Sequence, residues 1–424
     1  DFRSKTTELV LYGSLGLVPE YIDRRDSTRA AAADQSKLAT PNGRNMSSYW
    51  RARDNVSYIG AHAGIPINDD TRFLWQLEYG ISVNYTLSGD DSAPLSISPN
   101  TRLRNSGVAL DDDRFGTLLY GVWDMPLKES TTSLDPFNGK TSAAYYNIIG
   151  SPGFNSSLAS YVSGPLTQAD ESVNSDAAFN RRQSGVVAWW SPEWRGLQVK
   201  LAYSNNGMRA AEDVDRGYIY GGSVTYKNGG FTAVAAAERH VNYFGIANLG
   251  RNARGVGSNT HVTEGTSSND YSFRFGLGYR FGSTQLSLVA DELYYSEDDV
   301  INNSTSFSDL SEYRRRAYML GISHSIGAWR LRASYARALP GDCSMISASA
   351  IDCDTSGMGA RQYALGVGYR FTRNTEVFAH YVLLKNASLA NYNFAVAGAY
   401  AASGYSPGVG TTINAIGTGF NYSF

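Results

Sequence analysis

The chain has 424 residues, of which 18% are charged, and its net charge is -2. Soluble domains carry about 25% charged residues, so a heavily solvated protein is disfavoured, and no nucleic-acid partner is expected of so neutral a chain. Mean hydropathy is -0.31, and no apolar run approaches the roughly 18–20 residues of a membrane helix, which excludes a helical membrane protein. Two readings remain, a large soluble all-β protein and a membrane β-barrel. The 43 glycines and 29 tyrosines suit strands with one face to lipid and one to water.

The first strand is expected at Thr7 to Ile22, with Leu9, Leu11 and Gly13 on one phase. A polar loop from Asp23 to about Ser47 precedes a return strand through Arg51, Arg53, Val56 and Tyr58 to Gly64. The turn Pro66-Ile67-Asn68-Asp69-Asp70 opens the clearest strand. There Phe73, Trp75, Leu77, Tyr79, Ile81 and Val83 alternate with Arg72, Leu74, Gln76, Glu78, Gly80, Ser82 and Asn84, a period of two long enough to cross a tilted bilayer. Thr101 to Leu110 follows, carrying Arg102 and Arg104 on one face, and Asp111-Asp112-Asp113 reads as a short solvated turn.

Phe115 to Val122 then runs into the one outsized connection, residues 124–181, rich in Gly, Ser, Asn and Pro. So long a connection in a compact fold implies a function. If the strands close into a barrel, it folds into the lumen and narrows it. Val186 to Trp190 is the next strand, turned by Ser191-Pro192-Glu193-Trp194-Arg195-Gly196, and Leu197, Val199, Leu201 and Tyr203 are the outer phase of its partner.

The second half repeats this grammar. Tyr218 to Lys227 and Phe231 to His240 flank the hairpin signal Asn228-Gly229-Gly230. Tyr271 to Phe281, the pair Tyr313 to Ile326 and Trp329 to Arg337, then Tyr363 to Phe371 and Thr375 to Leu384 are further strands. The last carries Ile416, Thr418, Phe420, Tyr422 and Phe424 on one phase. Short turns alternate with long loops throughout. A soluble sandwich gives no reason for that asymmetry, whereas outer-membrane barrels have short turns on one side, long loops on the other and an even strand number. The expected fold is therefore all-β: a transmembrane antiparallel β-barrel of about sixteen strands, one domain over residues 1–424, with 124–181 as an inward-folded constriction loop.

Several short motifs carry a family resemblance across essentially the whole chain. They are Leu11-Tyr12-Gly13, Ser57-Tyr58-Ile59-Gly60, Trp75-Gln76-Leu77-Glu78, Arg104 to Leu110 followed by Phe115-Gly116-Thr117, Pro126-Leu127-Lys128, Ser191-Pro192 and the terminal Phe424. Their order resembles the general diffusion porins of Gram-negative bacteria, in the neisserial and β-proteobacterial branch. Where that family often has arginines in the strand entering the constriction loop, this chain has Leu119 and Val122. The resemblance implies a passive, water-filled outer-membrane channel, usually a homotrimer, in contact with outer-membrane lipid and lipopolysaccharide.

If the apolar phase faces lipid, the lumen phase holds Arg72, Arg102, Arg104, Lys200, Arg274, Arg280, Arg315, Arg330, Arg332 and Arg370, against the acids Glu78, Glu238, Asp291 and Glu376. Fixed charge on a pore wall biases which ions enter, so a moderate preference for anions and small polar solutes is expected. For any one arginine, a structural pairing is an equal expectation. Opposite the wall, the loop supplies Asp124, Glu129, Asp135, Asp170, Glu171 and Asp176, with Lys128 and Lys140, and Arg182 follows it. Acids facing arginines would set a field across the aperture. The alternatives are a porin selective for small carboxylates or similar anions, and a receptor or adhesin using the external loops. No catalytic constellation, metal spacing or cofactor motif stands out among the five scattered histidines. Cys343 and Cys353 are expected to form a disulfide in an external loop, worth roughly 2–3 kcal/mol by restricting the unfolded chain.

Overall fold

Alternation of apolar and polar residues builds the observed architecture strand by strand. The computed structural model describes residues 9–25, 48–88, 91–92, 96–98, 103–153, 179–205, 217–241, 267–298, 310–345, 355–388, 390, 392–394 and 410–424. Sixteen antiparallel strands form one closed barrel. β1 is Val10–Arg25, and β2 comprises Tyr49–Asp54 and Tyr58–Pro66, both paired with β1. β3 comprises Thr71–Gly80 and Ser82–Ser88; β4 is Ser106–Asp112 and β5 is Gly116–Asp124. β6 is Arg182–Trp190, β7 Leu197–Ser204, β8 Tyr218–Asn228 and β9 Phe231–Val241. β10 is Ser267–Phe281, β11 Thr284–Asp298 and β12 Leu310–Ile326. β13 is Trp329–Ala338, extended by Asp342–Met345; β14 is Ala360–Arg370, β15 Thr375–Asn386 and β16 Thr412–Ser423. Pairing of β16 with β1, from Ser423 opposite Ser14 to Thr412 opposite Arg25, closes the barrel. Closure removes the free edges that an open sheet would expose.

Burial gives the two faces. Along β10, Phe275 is 63% exposed while Arg274 beside it is 0% exposed. Phe273, Leu277, Tyr279 and Phe281 share the outer face with Phe275. Leaving a large apolar side chain in water forgoes about 1.5–3 kcal/mol of burial, so a belt of them outside a polar interior is stable only against lipid. Among the described residues no helix is long and apolar enough to cross a membrane; the strands do the crossing.

Tight turns gather at one end of the barrel. Gly229, Gly282 and Gly327 lead three two-residue hairpin turns with φ of 56°, 53° and 58°, and nothing stands within 4 Å of where their Cβ atoms would be. The left-handed backbone of such turns, not crowding, selects glycine there.

Some strand boundaries differ from the sequence expectation. The strand expected through Val56 is broken at residues 55–57, where Val56 takes a positive φ of 57°. The Ser57 hydroxyl there donates to the Gly16 carbonyl at 3.1 Å. Asp111 and Asp112 belong to β4, opposite Arg72 and Thr71, rather than to a turn. Arg72 and the Thr117 hydroxyl satisfy the Asp111 carboxylate, which lets the strand run two residues further. Arg104 precedes β4, and Arg102 lies outside the described residues. Cys343, in the extension of β13, is disulfide-bonded; Cys353 lies outside the described residues.

Candidate functional site

The described part of the long connection lies against the inner wall. It leaves β5 at Asp124 and turns into a short helix, α1 (Pro126–Thr131), whose proline sits in the first turn, where its missing N–H costs nothing. The two ends of the connection are tied together. The Met125 amide donates to the Arg181 carbonyl at 3.1 Å, and Asp124 accepts from Arg182 at 3.1 Å and from Lys128 at 2.8 Å. The Asn105 side-chain oxygen accepts from the Asp124 amide and from Arg182 Nε at 3.0 and 2.9 Å.

Beyond α1 the chain coils around one carboxylate. Asp135 accepts from the backbone amides of Phe137, Gly139 and Tyr145 at 3.1, 2.8 and 3.2 Å. Burial pushes its pKa up to about 6 in spite of these three bonds. Tyr145 and Tyr146 pack at 4.4 Å, and the Tyr145 hydroxyl pairs with Thr131 at 2.8 Å, closing the coil onto α1.

A set of wall side chains then holds this coil by its carbonyls. Arg274 donates to the Leu127 carbonyl at 3.2 Å and Arg315 to that of Ile148 at 2.9 Å. Asp291 joins the two arginines, accepting from Arg315 at 2.9 Å and lying 3.8 Å from Arg274, and it also accepts from the Gly150 amide. All three side chains are fully buried. Gln362 donates to the Ala143 and Ala144 carbonyls at 3.2 Å each and accepts from Asn147 at 2.7 Å. On the far wall, Glu20 accepts from Ser142 at 2.6 Å and pairs with Arg51 and Arg53 at 2.7 and 3.0 Å. Glycines on β10, β12 and β14 make room for the coil: a Cβ at Gly276 would meet Leu134, at Gly321 Pro136 and at Gly366 Phe137.

A barrel whose lumen is narrowed by the connection after β5 is the architecture of a channel. The family model for Gram-negative porins matches residues 10–389. The chain belongs to that family. It is a passive outer-membrane channel for ions and small hydrophilic solutes. The major outer membrane protein P.IA of Neisseria meningitidis is 24% identical over 281 residues, a match that covers 65% of this chain and 66% of that protein. Among solved structures, the anion-selective porin from Comamonas acidovorans superposes with a TM-score of 0.62 at 18% identity, covering 98% of this chain and 99% of that one. OmpT of Vibrio cholerae in its trimer form gives a TM-score of 0.55 at 16% identity, covering 99% and 100%. At such identities the likeness is one of fold.

Within this porin the sequence-derived wall residues part company. Arg72, Lys200, Arg274, Arg280, Arg315, Arg330, Arg332 and Arg370 all lie on the phase opposite the exposed apolar residues, as do Glu78, Glu238, Asp291 and Glu376. Arg274 does not line open water, however, because the coil covers it completely. Asp135, 2% exposed, caps the coil instead of facing the aperture. The expected field between loop acids and wall arginines is corrected in the same way. Asp124 is held by Arg182 and Lys128, Glu129 by Lys200, and Asp135 by backbone amides. Asp170, Glu171 and Asp176 lie outside the described residues.

Lys200 also sits over the Trp190 ring at 4.5 Å, and Arg104 lies over Tyr58 at 4.7 Å and near Glu78 at 3.4 Å. Arg330 and Arg332 share Glu376. Among the described residues, four buried acids were missed from sequence, Glu20, Asp54, Asp111 and Asp270. Asp111 was hidden by its place in an apparent turn, and Glu20 by its distance in sequence from Arg51 and Arg53. Gln362, neutral and small in signal, gave no sequence cue beyond its phase.

Proposed function

We propose that this porin passes small anions in moderate preference to cations, and that the whole segment 124–181 forms its constriction. The carrying observation is uneven pairing. On the turn-side wall, among the described residues, Glu376 pairs with Arg330 and Arg332 and stands opposite Arg370, while Arg280 bonds to the neutral Gln285. The loop adds Lys140, which has no ion-pair partner among the described residues and feels the charges of both Arg104 and Glu376. Two of the described loop acids, Asp124 and Glu129, are already paired with cations, so they do little to offset this excess. Guanidinium stays charged at any physiological pH, and the screening length of about 8 Å at physiological salt matches a narrow aperture. The printed description of the Comamonas acidovorans neighbour, an anion-selective porin, points the same way.

We take the assembled form to be a homotrimer in contact with outer-membrane lipid and lipopolysaccharide. The trimeric Vibrio neighbour supports the oligomer and the exposed apolar belt supports the lipid contact. Reversal potentials in a KCl gradient across a planar bilayer test the selectivity. Chloride preference that shrinks as salt rises is expected, and a clear preference for potassium would refute it.

A further inference from the structure

The outer face of the barrel carries, at its loop end, a row of cations that no carboxylate of the described residues offsets. Arg337 of β13 stands directly opposite Arg361 of β14, and Arg361 directly opposite Lys385 of β15. All three lie on the outward phase, in step with the exposed Leu331, Leu365 and Tyr381. Neutral residues flank the row, Tyr318 opposite Arg337 and Thr412 opposite Lys385. Among the described residues none of the three makes an ion pair. Other outward cations at this end are matched. Arg316 bonds to Glu292, Arg25 pairs with Asp23 at 2.6 Å, and Arg239 donates to the Asn269 side-chain oxygen at 2.6 Å.

The strands fix the depth of this row. Going from it toward the turns, β13 presents Tyr335, Ala333, Leu331 and Trp329 outward, and β14 presents Tyr363, Leu365, Val367 and Tyr369. The Tyr335 and Tyr363 rings lie 5.0 Å apart and the Trp329 and Tyr369 rings 4.9 Å apart. These two aromatic pairs bracket the apolar side chains, with about 20 Å of strand between them. Aromatic levels of this kind mark the two membrane interfaces of a barrel. Arg337 stands two residues beyond Tyr335, about 7 Å further along the strand. The row therefore lies just past the apolar band, at the level of lipid headgroups, on the side of the long loops. Like charges directly opposite one another weaken a sheet, so counter-charge from the headgroup layer stabilises this one.

We infer that Arg337, Arg361 and Lys385 form a binding site for the phosphates of an outer-leaflet lipid, and that the row replaces the divalent cations that would otherwise bridge those phosphates to the protein. Guanidinium donates paired, charge-assisted hydrogen bonds to phosphate oxygens, and the lysine ammonium acts beside it as a point charge. Neighbouring strands are about 4.8 Å apart, so the row spans about 10 Å and meets more than one phosphate. Each cation at such a surface adds to the attraction for anionic lipid. A free phosphate would gain the same hydrogen bonds but not the apolar band beneath them, which makes the lipid the favoured occupant. The inference rests on the lipid contact proposed above and adds to it a place, a chemical class and independence from divalent cations.

The probe is lipid A, the phosphorylated anchor of lipopolysaccharide, compared with the same lipid dephosphorylated. Binding to the detergent-solubilised protein is measured by native mass spectrometry in EDTA. The proteins are the parent, Arg361→Gln, and a triple variant combining Arg337→Gln, Arg361→Gln and Lys385→Gln. These side chains face outward and pair with no described carboxylate, so the barrel keeps its fold, which circular dichroism checks. The parent is expected to prefer the phosphorylated lipid by about tenfold or more. Arg361→Gln should lose part of that preference and the triple variant all of it. Equal preference in the parent and the triple variant, or a preference that emerges only when magnesium replaces EDTA, would overturn the inference. Inorganic phosphate that competes as well as lipid A does would also overturn it, by making the row a site for the free anion. A parent that binds both lipids equally loses the phosphate site and keeps the lipid contact, whereas one that binds neither loses both.

Discussion

Arg274 and Arg280 lie six residues apart on the inner phase of one strand, yet they have opposite fates. Arg274 is fully buried, bonded to the Leu127 carbonyl and to Asn180, with Asp291 at 3.8 Å. Arg280 is exposed and, among the described residues, bonds to a neutral amide, that of Gln285. The loop makes the difference. Where the coil lies on the wall, water is displaced and a buried guanidinium must have carboxylate and carbonyl partners, because an unpaired buried charge costs several kcal/mol. Below the coil, water solvates the wall and the charge excess stays available to solutes. The same residue on the same face is thus an anchor in one half of the lumen and, on the proposed reading, a selectivity element in the other.

The anchor half should respond most strongly to mutation. Asp291→Ala leaves Arg274 and Arg315 buried without their shared carboxylate and removes the acceptor for the Gly150 amide. A loss of about 3–5 kcal/mol is expected, read as a lower urea midpoint together with a larger single-channel conductance as the coil lifts. Unchanged conductance and stability would mean that the triad does not hold the loop. Gln362→Leu is the next test. It removes the side-chain donor to the Ala143 and Ala144 carbonyls and one acceptor of the Asn147 amide. About 1–3 kcal/mol is expected, with noisier channels and passage of larger neutral solutes in liposome-swelling assays. Neither substitution alters the turn-side arginines, so the ratio of chloride to potassium permeability should move less than conductance does.

Much of this geometry was legible in the sequence, and the illegible parts share a cause. Period-two alternation fixed the faces of Arg72, Lys200, Arg274, Arg330 and Arg332, because a strand repeats its orientation every two residues whatever surrounds it. Whether a given arginine is covered depends on where a loop distant in sequence comes to rest, and no local pattern carries that. Asp111 shows the same limit at a strand end. An Asp-Asp-Asp run favours a turn locally, but Arg72 on the neighbouring strand and Thr117 on the next provide partners that keep it in the sheet. The break at residues 55–57 likewise depends on β1, through Gly16 and Ser57.

A pH test separates the coil from the wall. Burial raises the Asp135 pKa from the ordinary carboxylate value of 3.8 to about 6. The folded state therefore binds the proton more tightly than the unfolded state does. Stability contributed by this group is fully present below about pH 4 and is lost as pH rises through about 6, by at most about 3 kcal/mol. Protease resistance of the coil should accordingly fall between pH 4 and 6 in the parent relative to Asp135→Asn, which does not titrate. Parallel profiles for the two proteins would show that the carboxylate is not felt. The turn-side arginines keep their charge over that range, so ion selectivity should change far less than protease resistance.

The smallest effect is expected at Arg72. It lies on the inner phase, and its guanidinium is paired with Asp111 and lies 3.6 Å from Asp113. Replacing it with Gln removes one positive charge and uncovers one negative charge at the wall. Both changes shift the local potential against anions, but water reaches this end of the barrel and salt screens it. The shift in chloride-to-potassium permeability should correspond to about 1 kcal/mol or less, the usual ceiling for a solvated pair. Arg332→Gln, drawn from the uneven group on the opposite wall, should shift the reversal potential further in the same direction, because its removal leaves Glu376 to Arg330 alone without restoring balance to the group. Arg274→Gln should leave the sign and size of the reversal potential nearly unchanged while lowering stability. Measured side by side at 0.1 M and 1 M KCl, the three variants rank the two halves of the lumen. A larger selectivity change from Arg274→Gln than from Arg332→Gln would place the ion path along the wall that the coil covers, and the division between anchor and selectivity arginines would fail.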